Sequence, residues 1–291
     1  MIIDAHTHLW KKQHGLVNGR LVYDIGGGRS DFGGEIRQMM PPYMMNGENT
    51  AEMLLSNMDF AGVNGAVVTQ ENIDGSQNEY LRALNGKFDG RIKVCSLYEE
   101  GLTPETDGFD GIKICAGRLA DGRLLNHEHV FRLAAETGRF ISIDMAEGDA
   151  QTEDLAFLAD KYSSLRIAVG HFGLVGRGDW MAQIRLAHKP NVMIESGGIT
   201  WLFNDEFYPY PTAVACVKKA IDEVGAEKLM WGSDYPRTMT AITYRMSLDF
   251  LMQSNELTEN EKTLILGENA RRFYGFTDME PIFRIKHMAE D

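Results

Sequence analysis

The most informative stretch of the chain is Ile3-Asp4-Ala5-His6-Thr7-His8, because it places two histidines at the end of an apolar strand. Successive side chains of a β-strand alternate between its faces, so His6 and His8 project from the same face. Two imidazoles at this spacing can bind one divalent metal ion, or one can orient the other as an acid–base pair. An isolated His-x-His pattern is weak evidence for a metal or acid–base site. The same pattern at the end of the first strand of a barrel is much stronger evidence.

Eight short apolar runs are spread along the chain, and the first of them includes His6. Each run is rich in β-branched or aliphatic residues, which is typical of a parallel strand buried on both faces. The predicted strands are Met1–His6, Gly65–Thr69, Ile92–Leu97, Gly111–Cys115, Phe140–Met145, Arg166–Gly170, Asn191–Glu195 and Leu229–Gly232.

Amphipathic stretches lie between these strands and predict helices. The predicted helices are Thr50–Ala61 with Thr50 as N-cap, Asn126–Thr137 with Asn126 as N-cap, Gln151–Tyr162, Pro211–Val224, Ala241–Gln253, and Thr258–Phe273 with a capping box of Thr258 and Glu261. Alternation of strands and helices predicts βαβ units and a parallel sheet. Eight repeats in 291 residues fit one α/β domain, a (β/α)8 TIM barrel over residues 1–291, since such a barrel needs about 250 residues.

Two more polar residues follow predicted strands far along the chain. His171 follows the sixth strand, between Gly170 and Gly173, and Asp234 follows the eighth strand. Because catalytic groups of such barrels collect at the carboxyl ends of the strands, we expect both to meet His6 and His8. A carboxylate beside imidazoles suits a general base that takes a proton from water. The alternatives are a core histidine bonded to backbone for His171 and a helix N-cap for Asp234.

A long insertion, residues 11–49, separates the first strand from the first helix and is rich in glycine, methionine and aromatic residues. Loops of this length are uncommon unless functional, and the loop after the first barrel strand lies at the catalytic face. We interpret the insertion as an active-site lid, with a subunit contact or mobile flap as the alternative. Residues 278–291 are expected to form a C-terminal tail that packs on the outside or on a partner.

Charge and composition limit the partners of the chain. A formal net charge of −13 without a dense Lys/Arg cluster argues against nucleic acid, and no apolar run approaches the ~20 residues of a membrane span. The start of the chain has no signal-peptide pattern, and three widely spaced cysteines are interpreted as buried free thiols. We therefore expect a cytoplasmic protein that acts on a small molecule. Sixteen methionines and the apolar insertion favour a homo-oligomer.

Four motifs together resemble the amidohydrolase-related ("amidohydrolase 2") family of the amidohydrolase superfamily. They are IDAHTH at residues 3–8, VGHFG at 169–173, MWGSDYPR at 230–237 and ILGENARRFYGF at 265–276, and the resemblance spans nearly the full length. It implies a hydrolase or decarboxylase with a mononuclear metal site or its vestige. In the decarboxylases of the family, two histidines on strand one, one on strand five and an aspartate on strand eight hold the metal, and a strand-six histidine is catalytic.

His6, His8, Asp234 and His171 match four of these five positions, but strand five departs from the pattern. Phe140–Met145 carries no histidine, so Asp144 becomes an alternative oxygen ligand, or the site binds its divalent ion (zinc or manganese) weakly or not at all. Similar lactonases also lack that histidine, and some of them act without metal. The resemblance therefore favours hydrolysis of a lactone or related ester of a small carboxylic or sugar acid. The alternatives are a metal-dependent decarboxylase of an aromatic or unsaturated acid and a non-catalytic scaffold barrel.

For hydrolysis, we assign polarisation of the substrate carbonyl or the water to His6, His8 and any bound metal, and the general base to Asp234. His171 is assigned to hold the carbonyl oxygen or to stabilise the developing oxyanion. Further residues near the strand ends are candidate contacts for an anionic substrate. Arginine offers a bidentate fork to a carboxylate, and a lone lysine in an apolar run needs a partner or a ligand. The substrate-binding candidates are Lys113, Arg118, Arg237, Trp10 and Trp201, and Tyr43, Tyr210, Glu71 and Glu195 are further candidates for the pocket wall or mouth.

Overall fold

The computed structural model describes residues 1–277 together with 279, 282, 286, 288 and 289. Its strands are β1 (Ile3–His8), β2 (Leu16–Val17), β3 (Arg20–Gly26), β4 (Arg29–Phe32), β5 (Ile36–Gln38), β6 (Gly65–Thr69), β7 (Ile92–Leu97), β8 (Gly111–Ile114), β9 (Phe140–Ile143), β10 (Ile167–Val169), β11 (Val192–Glu195) and β12 (Leu229–Met230). The helices are α1 (Ala51–Ala61), α2 (Asn78–Arg82), α3 (Glu128–Thr137), α4 (Thr152–Lys161), α5 (Trp180–Arg185), α6 (Ile199–Leu202), α7 (Pro211–Val224), α8 (Met246–Met252), α9 (Glu259–Thr263) and α10 (Asn269–Tyr274).

The eight predicted strands form one parallel sheet in the order β1-β6-β7-β8-β9-β10-β11-β12, with helices between them. The sheet curls into a nearly closed barrel, because backbone hydrogen bonds also join its two end strands. Ala5 N donates to Trp231 O at 2.9 Å, and His8 N donates to Tyr235 O at 2.8 Å. The chain is therefore a (β/α)8 TIM barrel, as the alternation of strands and helices predicts.

Alternate side chains of each strand face two different layers, which is why the strands are mainly apolar. In β6, Ala66 and Val68 pack outward into the large cluster shared with the helices, whereas Val67 packs inward with Ile3 and Ala168. The inner cluster is closed at the amino ends of the strands by α10 and the residues after it. Its closing side chains are Ala270, Phe273, Tyr274 and Phe276. This end is a packed core, so the opposite end carries the site.

The insertion contains a four-stranded antiparallel sheet, which we call the insertion sheet (β2 to β5). The sequence predicts a loop over residues 11–49, whereas the structure has four strands in this segment. The strands are short, from 2 to 7 residues, and the hydrophobic alternation that would mark them is weak. Side-chain bonds tie the sheet to the barrel: Ser30 Oγ donates to Gln13 Oε1 at 2.5 Å, and Gln13 Nε2 donates to Asp74 Oδ1 at 2.8 Å.

Helix boundaries agree with the sequence in part. The helix over Pro211–Val224 and the capping box of Thr258 and Glu261 are confirmed. The segment after Thr258 is interrupted by a π-helical turn over Leu264–Glu268, so it is not one regular helix. A 3-10 turn precedes α3, whose N-cap is His127, so the prediction of Asn126 was wrong. The predicted tail over residues 278–291 lies largely outside the described residues. No described helix has the length and apolar character needed to cross a membrane.

Candidate active site

The two histidines of β1 meet at the carboxyl end of the barrel. His6 Nε2 and His8 Nε2 are 3.1 Å apart, and both side chains are buried. Space for His6 comes from a glycine in the segment after β12. A Cβ atom on Gly232 would lie 2.8 Å from His6 Cβ, closer than real Cβ atoms come to other heavy atoms. The absence of a side chain at position 232 is therefore needed for the observed position of His6.

Asp234 reaches the same point from the loop after β12. Its Oδ1 accepts a hydrogen bond at 2.8 Å from His8 Nε2, and its Oδ2 accepts one at 2.6 Å from Trp201 Nε1. Its backbone adopts φ 59°, a left-handed conformation that few non-glycine residues adopt and that is often found at functional sites. Burial raises the pKa of Asp234, but the His8 hydrogen bond and the His171 and Arg237 charges outweigh it. The pKa therefore lies below its ordinary value, and the carboxylate is ionised at neutral pH.

These three side chains fit a divalent ion. Their ligand atoms all lie within 4.8 Å of one another, with separations of 3.1, 2.8 and 3.9 Å. Ligands held at about 2.0–2.2 Å from a tetrahedral ion are separated by roughly 3.3 Å, which matches this triangle. Burial, followed by the Arg237 charge, lowers the pKa of His8, so its imidazole is neutral as ligation requires. The donor set of two imidazoles and one carboxylate is one that zinc favours.

Glu195, at the end of β11, orients the His6 ring through Nδ1, the nitrogen that does not face His8. Its Oε1 lies 2.6 Å from His6 Nδ1, and its Oε2 accepts a hydrogen bond from Gly197 N at 2.5 Å. An Nδ1–H donated to Glu195 leaves the lone pair of Nε2 directed toward His8 and Asp234. Histidine ligands commonly have such a carboxylate partner, which fixes the tautomer and raises the basicity of the ring.

His171 lies on the other side of His6, with its ring centroid 4.7 Å from that of His6. Its Nδ1 donates to Gly197 O at 2.8 Å, and its Nε2 lies 3.3 Å from Asp144 Oδ2. Its backbone is left-handed, at φ 53°. Burial lowers the pKa of His171, but the Asp144 carboxylate outweighs burial and holds the pKa well above its ordinary value. The ring is therefore a protonated hydrogen-bond donor at neutral pH.

Asp144 follows β9 and is shared between a lysine and a histidine. Lys113 Nζ lies 2.6 Å from Asp144 Oδ2, and the Lys113 side chain is fully buried. Burial raises the pKa of Asp144, but the Lys113 and His171 charges hold it well below its ordinary value. Space for the Asp144 carboxylate depends on Gly170, where a Cβ atom would lie 2.1 Å from Asp144 Oδ1. Asp144 also belongs to a possible ligand group with His6 and His171.

One cavity of about 640 Å³ opens over this cluster and is large enough for a small ligand. The catalytic candidates His8, His171 and Asp234 line it, together with Asp144 and Trp201. The insertion sheet forms another part of its wall. The lining residues from the insertion are Phe32, Arg37, Gln38 and Met39.

The predicted arginine contacts both line the cavity, and both have carboxylate partners. Arg118 Nε lies 3.5 Å from Glu71 Oε2, and Arg237 Nη2 donates to Asp74 Oδ2 at 2.6 Å. Arg237 Nε and Nη1 are buried without a hydrogen-bond partner in the described part of the chain. Arg237 therefore has free donors beside the cavity, whereas the Arg118 side chain is half exposed.

Two predicted substrate contacts need correction. Trp10 is fully buried, donates to Gly47 O at 2.9 Å and packs with Met40 and Met44, and it does not line the cavity. Lys113 also does not line the cavity, since its ammonium group points to Asp144 within the barrel. The polar groups of both residues bind partners inside the protein. Tyr43 and Tyr210 likewise lie away from the cavity wall, and Glu195 contacts His6 and not the open mouth.

The amidohydrolase sequence profile matches residues 3–276. The chain belongs to the amidohydrolase family. It is thus an enzyme of the amidohydrolase superfamily, and the motifs quoted from the sequence lie within the matched range. A comparison with curated protein sequences gave no match.

Solved structures share the fold of this family member at low sequence identity. A probable 2-pyrone-4,6-dicarboxylic acid hydrolase from Acinetobacter baumannii with citric acid bound is 19% identical, with TM-score 0.68 and coverage of 94% of this chain and 99% of the other. An amidohydrolase from Burkholderia multivorans with bound zinc is 16% identical, with TM-score 0.68 and coverage of 95% and 100%. The 5-carboxyvanillate decarboxylase from Sphingomonas paucimobilis is 15% identical, with TM-score 0.57 and coverage of 81% and 86%.

Sequence reasoning missed the residues that hold the amidohydrolase site in place. Asp4 accepts hydrogen bonds from Ser233 N at 2.9 Å and from Tyr244 Oη at 2.8 Å, which joins β1 to the loop of Asp234. Asp74 holds Arg237 in the same way. The available signal was a carboxylate inside an otherwise apolar strand, as at Asp4, since such a group must find partners.

Proposed function

We propose that this enzyme hydrolyses a lactone or related ester of a small carboxylic or sugar acid, with Asp234 as the general base. The observation that supports this most directly is the position of the Asp234 carboxylate. It lies 2.8 Å from His8 Nε2 and 3.9 Å from His6 Nε2, and it lines the cavity. An ionised carboxylate at that point can accept a proton from a water molecule bound beside the two imidazoles.

The proposed reaction uses Asp234 twice. The water oxygen attacks the carbonyl carbon while Asp234 takes one water proton, and the carbonyl π electrons move onto its oxygen. When this tetrahedral intermediate collapses, the bond between the carbonyl carbon and the ring or ester oxygen breaks. The departing oxygen then takes the proton back from Asp234. The products are a carboxylic acid, which loses its proton to solvent as a carboxylate, and a hydroxyl group; in a lactone both belong to the same molecule.

His171 is proposed to stabilise the negative oxygen of the intermediate. Its ring is protonated, and the 3.3 Å contact between its Nε2 and Asp144 Oδ2 is long for a hydrogen bond. The Nε2–H can therefore turn to a substrate oxygen at small cost. A donor already oriented in a buried site stabilises a developing oxyanion more than the same donor does in water.

His6, His8 and Asp234 are the residues that would hold a divalent ion such as zinc or manganese, with Asp144 as a further oxygen ligand. When bound, such an ion supplies Lewis acidity toward the carbonyl or the water. Lys113 already pairs with Asp144, so we propose that Asp144 is the weaker ligand of the four. The Burkholderia amidohydrolase of the same fold holds zinc.

An anionic substrate agrees with the arginines of the wall. Arg237 offers two donors that have no hydrogen-bond partner among the described residues, and the carboxylate partner of Arg118 lies 3.5 Å away. Trp201, which holds Asp234 and lines the cavity, supplies a flat apolar surface. We propose that the insertion sheet acts as the lid of this cavity and that residues 1–291 work as one catalytic domain.

A second candidate is a metal-dependent decarboxylase of an aromatic or unsaturated acid. The protonated state of His171 favours it, because the carbon that loses carbon dioxide must receive a proton. The absence of a histidine from β9 favours hydrolysis, as it removes one ligand expected of the decarboxylases.

One experiment separates the two reactions. Purified enzyme, with and without added zinc or manganese and after chelation, is incubated with a panel of lactones and of aromatic carboxylic acids. Ring opening is followed by proton release and carbon dioxide by a coupled assay. Ring opening that Asp234→Asn abolishes supports hydrolysis. Carbon dioxide release without ring opening would reject it in favour of the decarboxylase.

A further inference from the structure

The insertion sheet has one face toward the cavity and one toward solvent, and its register shows which residues lie on each. Directly paired residues of antiparallel strands share a face. Ser30 pairs with Arg37 and Val22 pairs with Phe32, and Ser30 and Val22 are fully buried. The neighbouring pair Asp31 and Ile36 points outward, with Ile36 65% exposed. Phe32 and Arg37 therefore belong to the barrel-facing side, and both line the cavity, where half of the Arg37 side chain stays exposed.

Arg37 lies over the ring of Phe32, with its guanidinium carbon 4.7 Å from the ring centroid. The N–H donors of a guanidinium lie in its own plane, so contact with the ring leaves them available for hydrogen bonds at the edge of the group. One donor on Nη2 binds Glu35 Oε2 at 2.8 Å. The Nε and Nη1 groups have no hydrogen-bond partner among the described residues, and Glu35 does not line the cavity.

A buried chain of hydrogen bonds holds this sheet in place over the site. Ser30 binds Gln13, Gln13 binds Asp74, and Asp74 binds Arg237, which is three positions after Asp234. Ser30 lies opposite Arg37 in the sheet, so Arg37 is carried on a fixed wall. The deeper arginine of the cavity pairs with a buried carboxylate, whereas the partner of Arg37 is exposed to solvent.

We propose that Arg37 is a specificity-determining residue that binds an anionic group of the substrate remote from the reacting carbonyl. This rests on the proposed function of the same cavity and adds the position and the charge of a second recognition point. The substrate class becomes an acid that carries a second anionic group besides the one next to the deeper arginines of the cavity. The face of Phe32 is covered by the guanidinium, so the distal group meets the edge of Arg37 and accepts its free N–H donors.

Equilibrium binding of two inert probes tests the proposal without turnover. Isophthalate has two carboxylates on a flat ring, and 3-carbamoylbenzoate replaces one by a neutral amide of the same size. Dissociation constants are measured by titration calorimetry for the wild type, Arg37→Met and Arg29→Met. Arg29 is the matched control, since it lies on the same sheet but does not line the cavity. Circular dichroism checks that each variant is folded.

We expect the wild type and Arg29→Met to bind isophthalate roughly tenfold to a hundredfold more tightly than the amide, as for a charge-assisted hydrogen-bonded pair. In Arg37→Met the two probes should bind about equally. The proposal is overturned if the wild type shows no preference, if Arg37→Met keeps it, or if Arg118→Met removes it while Arg37→Met does not. A lack of lactone hydrolysis would reject the proposed reaction and leave these binding ratios to decide the role of Arg37.

Discussion

Glu195 Oε1 lies 2.6 Å from Nδ1 of His6, although the two residues are 189 positions apart in the chain. Both side chains are almost completely buried. The carboxylate on β11 thus determines which nitrogen of His6 is free on the cavity side. Neither histidine spacing nor strand pattern contains this information, since it depends on closure of the barrel, which brings β11 to within one strand of β1.

Glu195→Gln should weaken metal binding and turnover together, by about ten- to a hundredfold, because a neutral amide is a poorer acceptor for His6 Nδ1–H. Metal affinity is measured by competition with a chromophoric chelator and turnover by kcat/KM. Glu147→Gln, a carboxylate change on the cavity wall away from His6, is the control. Equal effects of the two substitutions would contradict the assigned role of Glu195.

Asp234→Asn should lower kcat by about 10²–10⁴-fold while the protein stays folded, since the amide cannot accept the water proton. The hydrogen bond to Trp201 can persist, so the loop should stay in place. Asp249→Asn is the control and should leave kcat nearly unchanged, because Asp249 pairs with Arg245 and does not line the cavity. Near-normal turnover in Asp234→Asn would exclude this residue as the general base.

Lys113→Met should destabilise the fold by roughly 3–5 kcal/mol, because it leaves the Asp144 carboxylate without its buried cation. Chemical denaturation measures the loss. Lys93 pairs with Asp110 at 3.2 Å near the surface, so Lys93→Met should cost no more than about 1 kcal/mol. Adding Asp144→Asn to Lys113→Met should restore part of the stability. A double variant less stable than Lys113→Met would argue against an unpaired charge as the cause.

The capping box before α9 predicts a pH-dependent effect. Glu261 Oε2 accepts from Thr258 N at 2.6 Å, and the Lys218 ion pair and this bond lower the pKa of Glu261. A depressed folded-state pKa gives stability that is present at neutral pH and lost as the pH falls below about 4.5.

Glu261→Gln should therefore be less stable than the wild type at pH 7, by roughly 0.5–1 kcal/mol, and nearly equal to it at pH 3. Urea denaturation at both values measures the difference. Glu259→Gln is the control, as Glu259 is in the same turn but lacks the contact with the Thr258 backbone. A difference that does not change with pH would contradict the electrostatic explanation.

The barrel was predictable from the sequence because each strand is buried on at least one face and so is mainly apolar, even where a residue such as Asp4 or Lys113 interrupts it. Gly65–Thr69 and Ile92–Leu97 match their predicted bounds. The meeting of His6, His8, Asp234 and His171 followed from the rule that strand ends converge in a barrel. Predicting this convergence did not require knowing which side chains are in contact.

The insertion sheet and the supporting contacts did not follow from the sequence. Its strands are short and joined by glycine turns, and part of its barrel-facing side is polar, as at Ser30 and Arg37. Trp10 and Lys113 were assigned to the cavity because of residue type, but their polar atoms are bound by Gly47 and Asp144 inside the protein. Partners of this kind depend on three-dimensional neighbours that a one-dimensional pattern does not specify.

The hydrogen-bonded chain from Ser30 through Gln13 and Asp74 to Arg237 limits how the insertion can be exchanged among related enzymes. A chimera that receives a foreign segment 11–49 loses Ser30 and Gln13, two of the four residues of this chain of hydrogen bonds. Asp74 Oδ1 is then left without its hydrogen-bond donor. Successful transplantation of specificity would thus require residue 74 to be redesigned along with the grafted segment, although it lies outside it.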